Sequence, residues 1–203
     1  MKWDELASSE IIDKTAEALT TRGIEVLVVD SGKNALEKII EIIPANAEIA
    51  SGSSTTLQQI GFADILKERK HKWKNLHEAI LSEKDPQKRI DLRRKAVTAD
   101  YFLGSVNAVA QTGELVACDA SGSRVSAYPF AAKRLVLVAG AQKITPTLDD
   151  AMKRVREYVF SLEDKRSLEV YGAHSTFGKW VIIERERIIG RIILIIVKEK
   201  LGF

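Results

Sequence analysis

Three short apolar runs, Ile24–Val29, Leu135–Val138 and Ile192–Val197, lie far apart in the chain, with helical periodicity between them. Short runs rich in β-branched residues, without the strict alternation of a half-wet strand, are what strands covered on both faces read like. Helices alternating with such strands imply an α/β fold: a parallel or mixed sheet flanked by helices on both faces.

Helix signals fill the intervals. Residues 4–22 read as an amphipathic helix closed by Gly23. Leu36, Ile39, Ile40 and Ile43 share one face of a second helix, which Pro44 stops. Phe62, Ile65, Leu66, Trp73, Leu76 and Ile80 recur at spacings of three and four, so the charged stretch 62–97 is predicted to be a helical cap or insertion. Within it Asp85-Pro86 supplies an N-cap followed by a proline at the first helical position. A helix is expected near 125–133, and another from Thr145 to Leu162, where Thr147 and Asp150 resemble a capping box. Glu48–Ser51 and Lys179–Ile183 read as further strands, and 100–119 as a hairpin turning at Gln111–Glu114. A chain of 203 residues is expected to form one domain, 1–203.

Composition narrows the function classes. The longest apolar stretch, Ile188–Val197, is interrupted by Gly190 and Arg191, and it falls short of the roughly 20 residues a membrane span needs. With no signal-peptide pattern at Met1–Glu5, a cytoplasmic location is expected. Cys118 is the one cysteine, which excludes an internal disulfide, a four-Cys zinc site and a self-contained iron–sulfur cluster. His71 and His77, six apart, fall on different helix faces, and His174 stands alone, so no metal site is expected. Abundant Ile, Lys, Glu and Arg with little Cys and Met resembles a thermophile's composition. The net charge of +3 is too small to imply nucleic acid. Residues 67–95 do carry eleven basic against five acidic side chains around Trp73. Their signs alternate and Trp73 fits the apolar stripe, so a solvated pair of helices is the preferred reading over nucleic-acid binding.

Candidate binding residues gather in two clusters. Gly52-Ser53-Ser54-Thr55-Thr56 follows a predicted strand and opens a helix. Glycine allows close backbone approach, and free N–H groups at a helix start, with hydroxyls beside them, favour an anion. The bland alternative is an N-cap in a polar loop. The second cluster is Ser105, Asn107, Asp119 and Arg124, at or near strand ends, where ligands of open α/β sheets bind. The bland alternative is that Asn107 and Asp119 only satisfy turn backbone, as such residues often do. Lys143, just beyond the strand Leu135–Val138, is expected at the crevice rim, where it would neutralise an anionic ligand; the commoner alternative is a solvated loop lysine. Cys118 is read as a structural thiol rather than a nucleophile.

The segments Ala99-Asp100-Tyr101-Phe102-Leu103-Gly104-Ser105-Val106-Asn107-Ala108-Val109, Gly113-Glu114-Leu115-Val116, Asp119, Gly122-Ser123-Arg124-Val125 and Leu135–Gly140 resemble the LUD-domain proteins, named for lactate utilisation. Gly52–Leu57 and the ending Gly190–Phe203 match as well. The resemblance implies the fold shared by ribose-5-phosphate isomerase, glucosamine-6-phosphate deaminase and coenzyme A transferases, in which a loop like Gly52–Thr56 holds phosphate or a comparable anion. Two departures stand out. Gln142-Lys143 replaces the family's Asn-Lys, and no cysteines follow the last long helix. Asn107 stands near the position where related isomerases carry an acid, and an amide cannot exchange a proton as a carboxylate does.

Three functions follow as expectations. The first is a binding or accessory subunit for oxidation of lactate to pyruvate, with iron–sulfur clusters supplied only by a partner protein. The second is an independent enzyme on a phosphorylated or coenzyme A-linked small molecule, with Asp119 or Glu114 as acid/base. The third is a nucleic-acid-associated protein using helices 67–95. An anionic small molecule is the expected ligand, no cofactor is expected in this chain itself, and self-association is compatible with all three.

Overall fold

The computed structural model describes residues 3–203. α1 (Ser9–Thr21) begins where the Ser8 hydroxyl accepts the Ile11 N–H, later than the predicted start at residue 4, because residues 4–8 lie ahead of that cap. β1 (Glu25–Val29) and α2 (Gly32–Ile42), capped by Ser31, follow. β2 (Glu48–Ser51) leads through the Gly/Ser/Thr loop to α3 (Thr55–Gln59) and α4 (Phe62–Lys67). A two-residue strand, β3 (Lys74–Asn75), precedes α5 (Leu76–Ser82) and α6 (Pro86–Ala96). Then come β4 (Tyr101–Gly104), β5 (Ala108–Ala110), β6 (Leu115–Asp119) and β7 (Arg134–Gly140). After a 3-10 turn at Ala141–Lys143, β8 (Ile144–Thr145) runs into α7 (Leu148–Arg154). That helix continues through a π-helical turn, Val155–Val159, into α8 (Phe160–Tyr171). β9 (Lys179–Ile183) and β10 (Ile192–Val197) complete the set.

The main sheet has six strands in the order β1-β10-β7-β4-β2-β3, and every pair in it is parallel. All three apolar runs that set the fold expectation lie in it. Side chains alternate between its faces. Phe102, Leu135, Leu137, Leu194 and Ile196 pack with Ile12 and Leu19 of α1 on one side. Leu103, Val136, Val138, Ile195 and Val197 pack with Ala35 and Ile39 of α2, and with Leu57 and Phe62, on the other. This double burial explains why β7 and β10 read as unbroken apolar runs. A second sheet, β8-β5-β6-β9, contains the antiparallel β5–β6 hairpin, and its Val109, Leu115 and Ile183 join the first core.

Several local expectations change. The stretch 100–119 is not one hairpin: β4 belongs to the parallel sheet, and only β5–β6 turn back at Gln111–Glu114, with Gly113 at φ 98°. The helix expected near 125–133 is a single 3-10 turn, Val125–Ala127, and Pro129 shortly beyond it has no N–H with which to continue the ladder. The helix predicted to end at Leu162 runs to Tyr171. Residues 62–95 are not continuously helical either: Arg69 takes φ 54°, and Lys74–Asn75 pair with the edge of β2. Trp73 packs on Phe62, its indole N–H donating to the Ile43 carbonyl.

Candidate functional site

Because β2, β4 and β7 are mutually parallel neighbours, their carboxyl ends point the same way. The segments that leave them, 52–56, 105–107 and 141–143, therefore converge. At the convergence sits Lys143. Its Nζ donates to Thr56 Oγ1 and Ser105 Oγ, both at 3.0 Å, and to the Val106 carbonyl at 3.1 Å. Lys143 is 2 % exposed, so it lies at the base of the crevice rather than on the expected rim. Burial, with Arg154 and Arg124 as cationic neighbours, holds its amine well below the ordinary lysine range.

Arg124 approaches from the turn after β6. Its Nη1 donates to the Ser105 carbonyl at 2.9 Å and to the Tyr128 hydroxyl at 3.2 Å, and its Nη2 donates to the Cys118 carbonyl at 2.7 Å. Burial opposes its charge, but Tyr128 and Asp119 outweigh burial and keep the guanidinium above its usual value. Its aliphatic stem crosses Gly52 so closely that a Cβ there would sit 2.7 Å from Arg124 Cγ. Gly52 is thus required by close approach, which links the two clusters read from the sequence.

The remaining predicted residues divide. Asp119 Oδ2 accepts the Arg124 backbone N–H at 3.2 Å, and Asn107 Oδ1 accepts the Cys118 N–H at 2.8 Å. Both therefore do the turn-holding work of the bland reading while also lining the cleft. Ser54 is the N-cap of α3, its hydroxyl accepting the Leu57 N–H. The hydroxyls of Ser53 and Thr55 line the cleft and make no hydrogen bond among the described residues. α3 has only five residues, so the helix-dipole part of the expected anion site is weak; hydroxyls and backbone donors are what this loop offers. Glu114 lies elsewhere: its carboxylate takes Arg22 at 2.7 Å and the Thr112 hydroxyl, away from the cleft lining.

The cleft encloses about 640 Å³. The cap forms one wall with His77, Ile80, Arg89 and Arg93; the turn and helix around Val155, Phe160, Glu163 and Arg166 form the other. Burial, then the charge of Arg93, lowers the His77 pKa. Four arginines (89, 93, 124 and 166) against two carboxylates (Asp119 and Glu163) make the space electropositive. Among the described residues no cluster of His, Cys, Asp and Glu offers a metal site, and no helix is long and apolar enough to cross a membrane.

The LUD domain family matches residues 12–197. This chain belongs to the LUD-domain family. The crystal structure of a DUF162 family protein from Deinococcus radiodurans is similar in fold, with a TM-score of 0.57 at 11 % identity, covering 95 % of this chain and 99 % of that one. No curated protein sequence matches the chain.

Sequence reasoning missed the part of this LUD-domain site contributed by the last segment. Gln142 clasps Leu201 through both backbone groups, Nε2 donating to its carbonyl at 2.9 Å and Oε1 accepting its N–H at 3.3 Å. Gly202, at φ 64°, is thereby laid against Lys143; a Cβ on it would overlap Thr56 Oγ1 and come within 3.1 Å of Lys143 Nζ. A glycine next to the final apolar residue was the only local signal. Thr56 was visible as part of the hydroxyl cluster, but nothing nearby in sequence marked it as the lysine's partner. The walls' Arg89, Arg93 and Arg166 looked like ordinary helix-surface charge.

Proposed function

We propose that this LUD-domain chain binds a small carboxylate-bearing molecule in the Lys143 cleft, as the binding or accessory subunit of a lactate-oxidising assembly. The observation that carries this reading is the pairing of Lys143 and Arg124 at one cleft. Both are anchored on Ser105, and neither has a carboxylate partner among the described residues. The Arg124 guanidinium bonds two carbonyls and a hydroxyl rather than a carboxylate, with Asp119 near it but not paired, and its remaining N–H groups can take a ligand carboxylate. Ser53, Thr55 and the unpaired Asn107 amide nitrogen supply further donors around it. Electron-transfer clusters need several thiolates, and Cys118 is the only one here, so a partner protein would carry them.

The size of the cleft favours a second reading. A volume of about 640 Å³ is far more than a three-carbon acid fills, and Arg89 and Arg93 stand at its cap side. A phosphorylated or coenzyme A-linked molecule would use both the space and the charge. The nucleic-acid reading has lost its aromatic platform, since Trp73 is packed on Phe62.

Thermal unfolding with L-lactate, pyruvate and a phosphorylated short-chain acid tests these readings. A ligand at a hundredfold excess over its dissociation constant stabilises by about 2.7 kcal/mol. Stabilisation by lactate or pyruvate that Arg124→Gln removes supports the first reading; a response to the phosphorylated acid alone moves the choice to the second. If none of the three shifts the transition, the cleft is not an anion site.

A further inference from the structure

Lys143 is oddly equipped for a structural residue. A buried amine that only filled space would be replaced at little cost by Met or Leu, and one that held charge would have an acid beside it. Its neighbours are instead two hydroxyls, one carbonyl and, further off, two arginines. The amine donates to all three of those polar atoms, and none of them is a carboxylate that would hold its charge. Desolvation and adjacent cations are what turn a lysine into a nucleophile at neutral pH. The residue also lines the cleft, beside Ser105, Thr56 and Gly202.

We propose that Lys143 forms an imine with the carbonyl group of a 2-oxo acid whose carboxylate pairs with Arg124. This rests on the anion-binding reading above and deepens it. The class of substrate follows from the spacing of the two groups. In a 2-oxo acid the carbonyl carbon and the carboxylate are adjacent, so the amine and the guanidinium must reach neighbouring atoms. Lys143 and Arg124 are brought to one residue in this way, bonding Ser105 at its hydroxyl and its carbonyl respectively. In the step, the nitrogen lone pair adds to the carbonyl carbon, and a proton passes from nitrogen to the former carbonyl oxygen. The hydroxyls of Thr56 and Ser105 are placed to relay that proton. The carbinolamine then loses its hydroxyl as water, and C=N replaces C=O; nothing is oxidised or reduced.

The full chain is incubated with pyruvate and sodium cyanoborohydride at neutral pH, digested and mapped by mass spectrometry. A 1-carboxyethyl group on the Lys143 peptide, at least about tenfold above any other lysine, is the expected result; tenfold corresponds to about 1.4 kcal/mol of preference. The selectivity should vanish in the urea-unfolded chain, and acetone, which lacks the carboxylate, should show none of it in the folded one. Labelling of Lys143 no higher than that of exposed lysines overturns the imine, and equal selectivity for acetone overturns the role of Arg124. Thermal unfolding on the same sample separates the two levels. A melting point raised by pyruvate without an adduct removes the imine and leaves the binding site standing, whereas no rise and no adduct removes both. The measurement needs only the native sequence, so it does not depend on a variant that folds.

Discussion

Lys143 and Arg124 meet on a single residue: the lysine amine lies 3.0 Å from the Ser105 hydroxyl, and the arginine Nη1 donates to the Ser105 carbonyl at 2.9 Å. Tyr128 reinforces the junction, its hydroxyl also donating to that carbonyl at 2.9 Å. Ser105 directly follows β4, so the pair is registered to the main sheet rather than to a flexible loop.

Lys143→Met should fold with little loss, within about 1 kcal/mol at pH 7. Thr56 and Ser105 hydroxyls are already 3.2 Å apart and can bond each other, and the Val106 carbonyl keeps a donor in Ser105 Oγ. The pH dependence should change sharply. The folded-state pKa of Lys143 is depressed, so its contribution is complete above the unfolded value of about 10.4 and is lost as pH falls toward the folded value. The wild type should therefore gain stability from pH 7 to 10 relative to Lys143→Met, as read from urea midpoints. Arg124, Arg154 and His77 are present in both proteins and cancel in the difference.

Ser53→Ala/Thr55→Ala should leave the unliganded melting point almost unchanged, because neither hydroxyl holds any part of the described fold. Ligand stabilisation should fall by about 1–3 kcal/mol if both hydroxyls touch the anion. Calorimetry with and without ligand checks both halves.

Gly202→Ala should cost about 1–3 kcal/mol, combining an unfavourable positive φ with the overlap on Thr56 Oγ1. The more telling effect is local. Once Gly202 is displaced, water should reach Lys143, and its pH-dependent stability should shrink toward that of Lys143→Met. A variant that is destabilised but keeps the wild-type pH slope would show that the last segment does not keep Lys143 dry.

Glu114→Gln should lower stability by about 1 kcal/mol through the loss of its 2.7 Å pair with Arg22. It should leave ligand stabilisation intact, since the side chain faces away from the cleft lining. Loss of ligand response in this variant would restore Glu114 as an acid/base candidate.

The strands were legible because burial on both faces writes itself into composition: Leu135–Val138 and Ile192–Val197 could be little else. The hydroxyl loop was legible from the company of glycine, serine and threonine after a strand. The position of Lys143 was not. A lysine in a loop is ordinarily solvated, and what buries this one is Leu201–Gly202, held through Gln142 across 59 residues of sequence. Local pattern has no access to such a contact. The 125–133 segment misled for a related reason. Val125, Ala127, Tyr128 and Ala132 are all buried, as on a helix face, yet their burial comes from irregular chain wedged between the two sheets.

β2 and β4 are hydrogen-bonded neighbours, although Ala50 and its partner Phe102 stand 52 positions apart in sequence. The chain between them carries the 52–56 loop, β3 on the far edge of β2, and then the wall that bears His77, Arg89 and Arg93. The groups that would meet the reactive end of a ligand come from the loop immediately after β2 and from β4 onward. Reactivity and selectivity are thus written in largely separate passages of the sequence. Changes at Arg89 and Arg93 would retune which molecules are admitted while leaving every contact of the Lys143–Ser105–Arg124 junction in place.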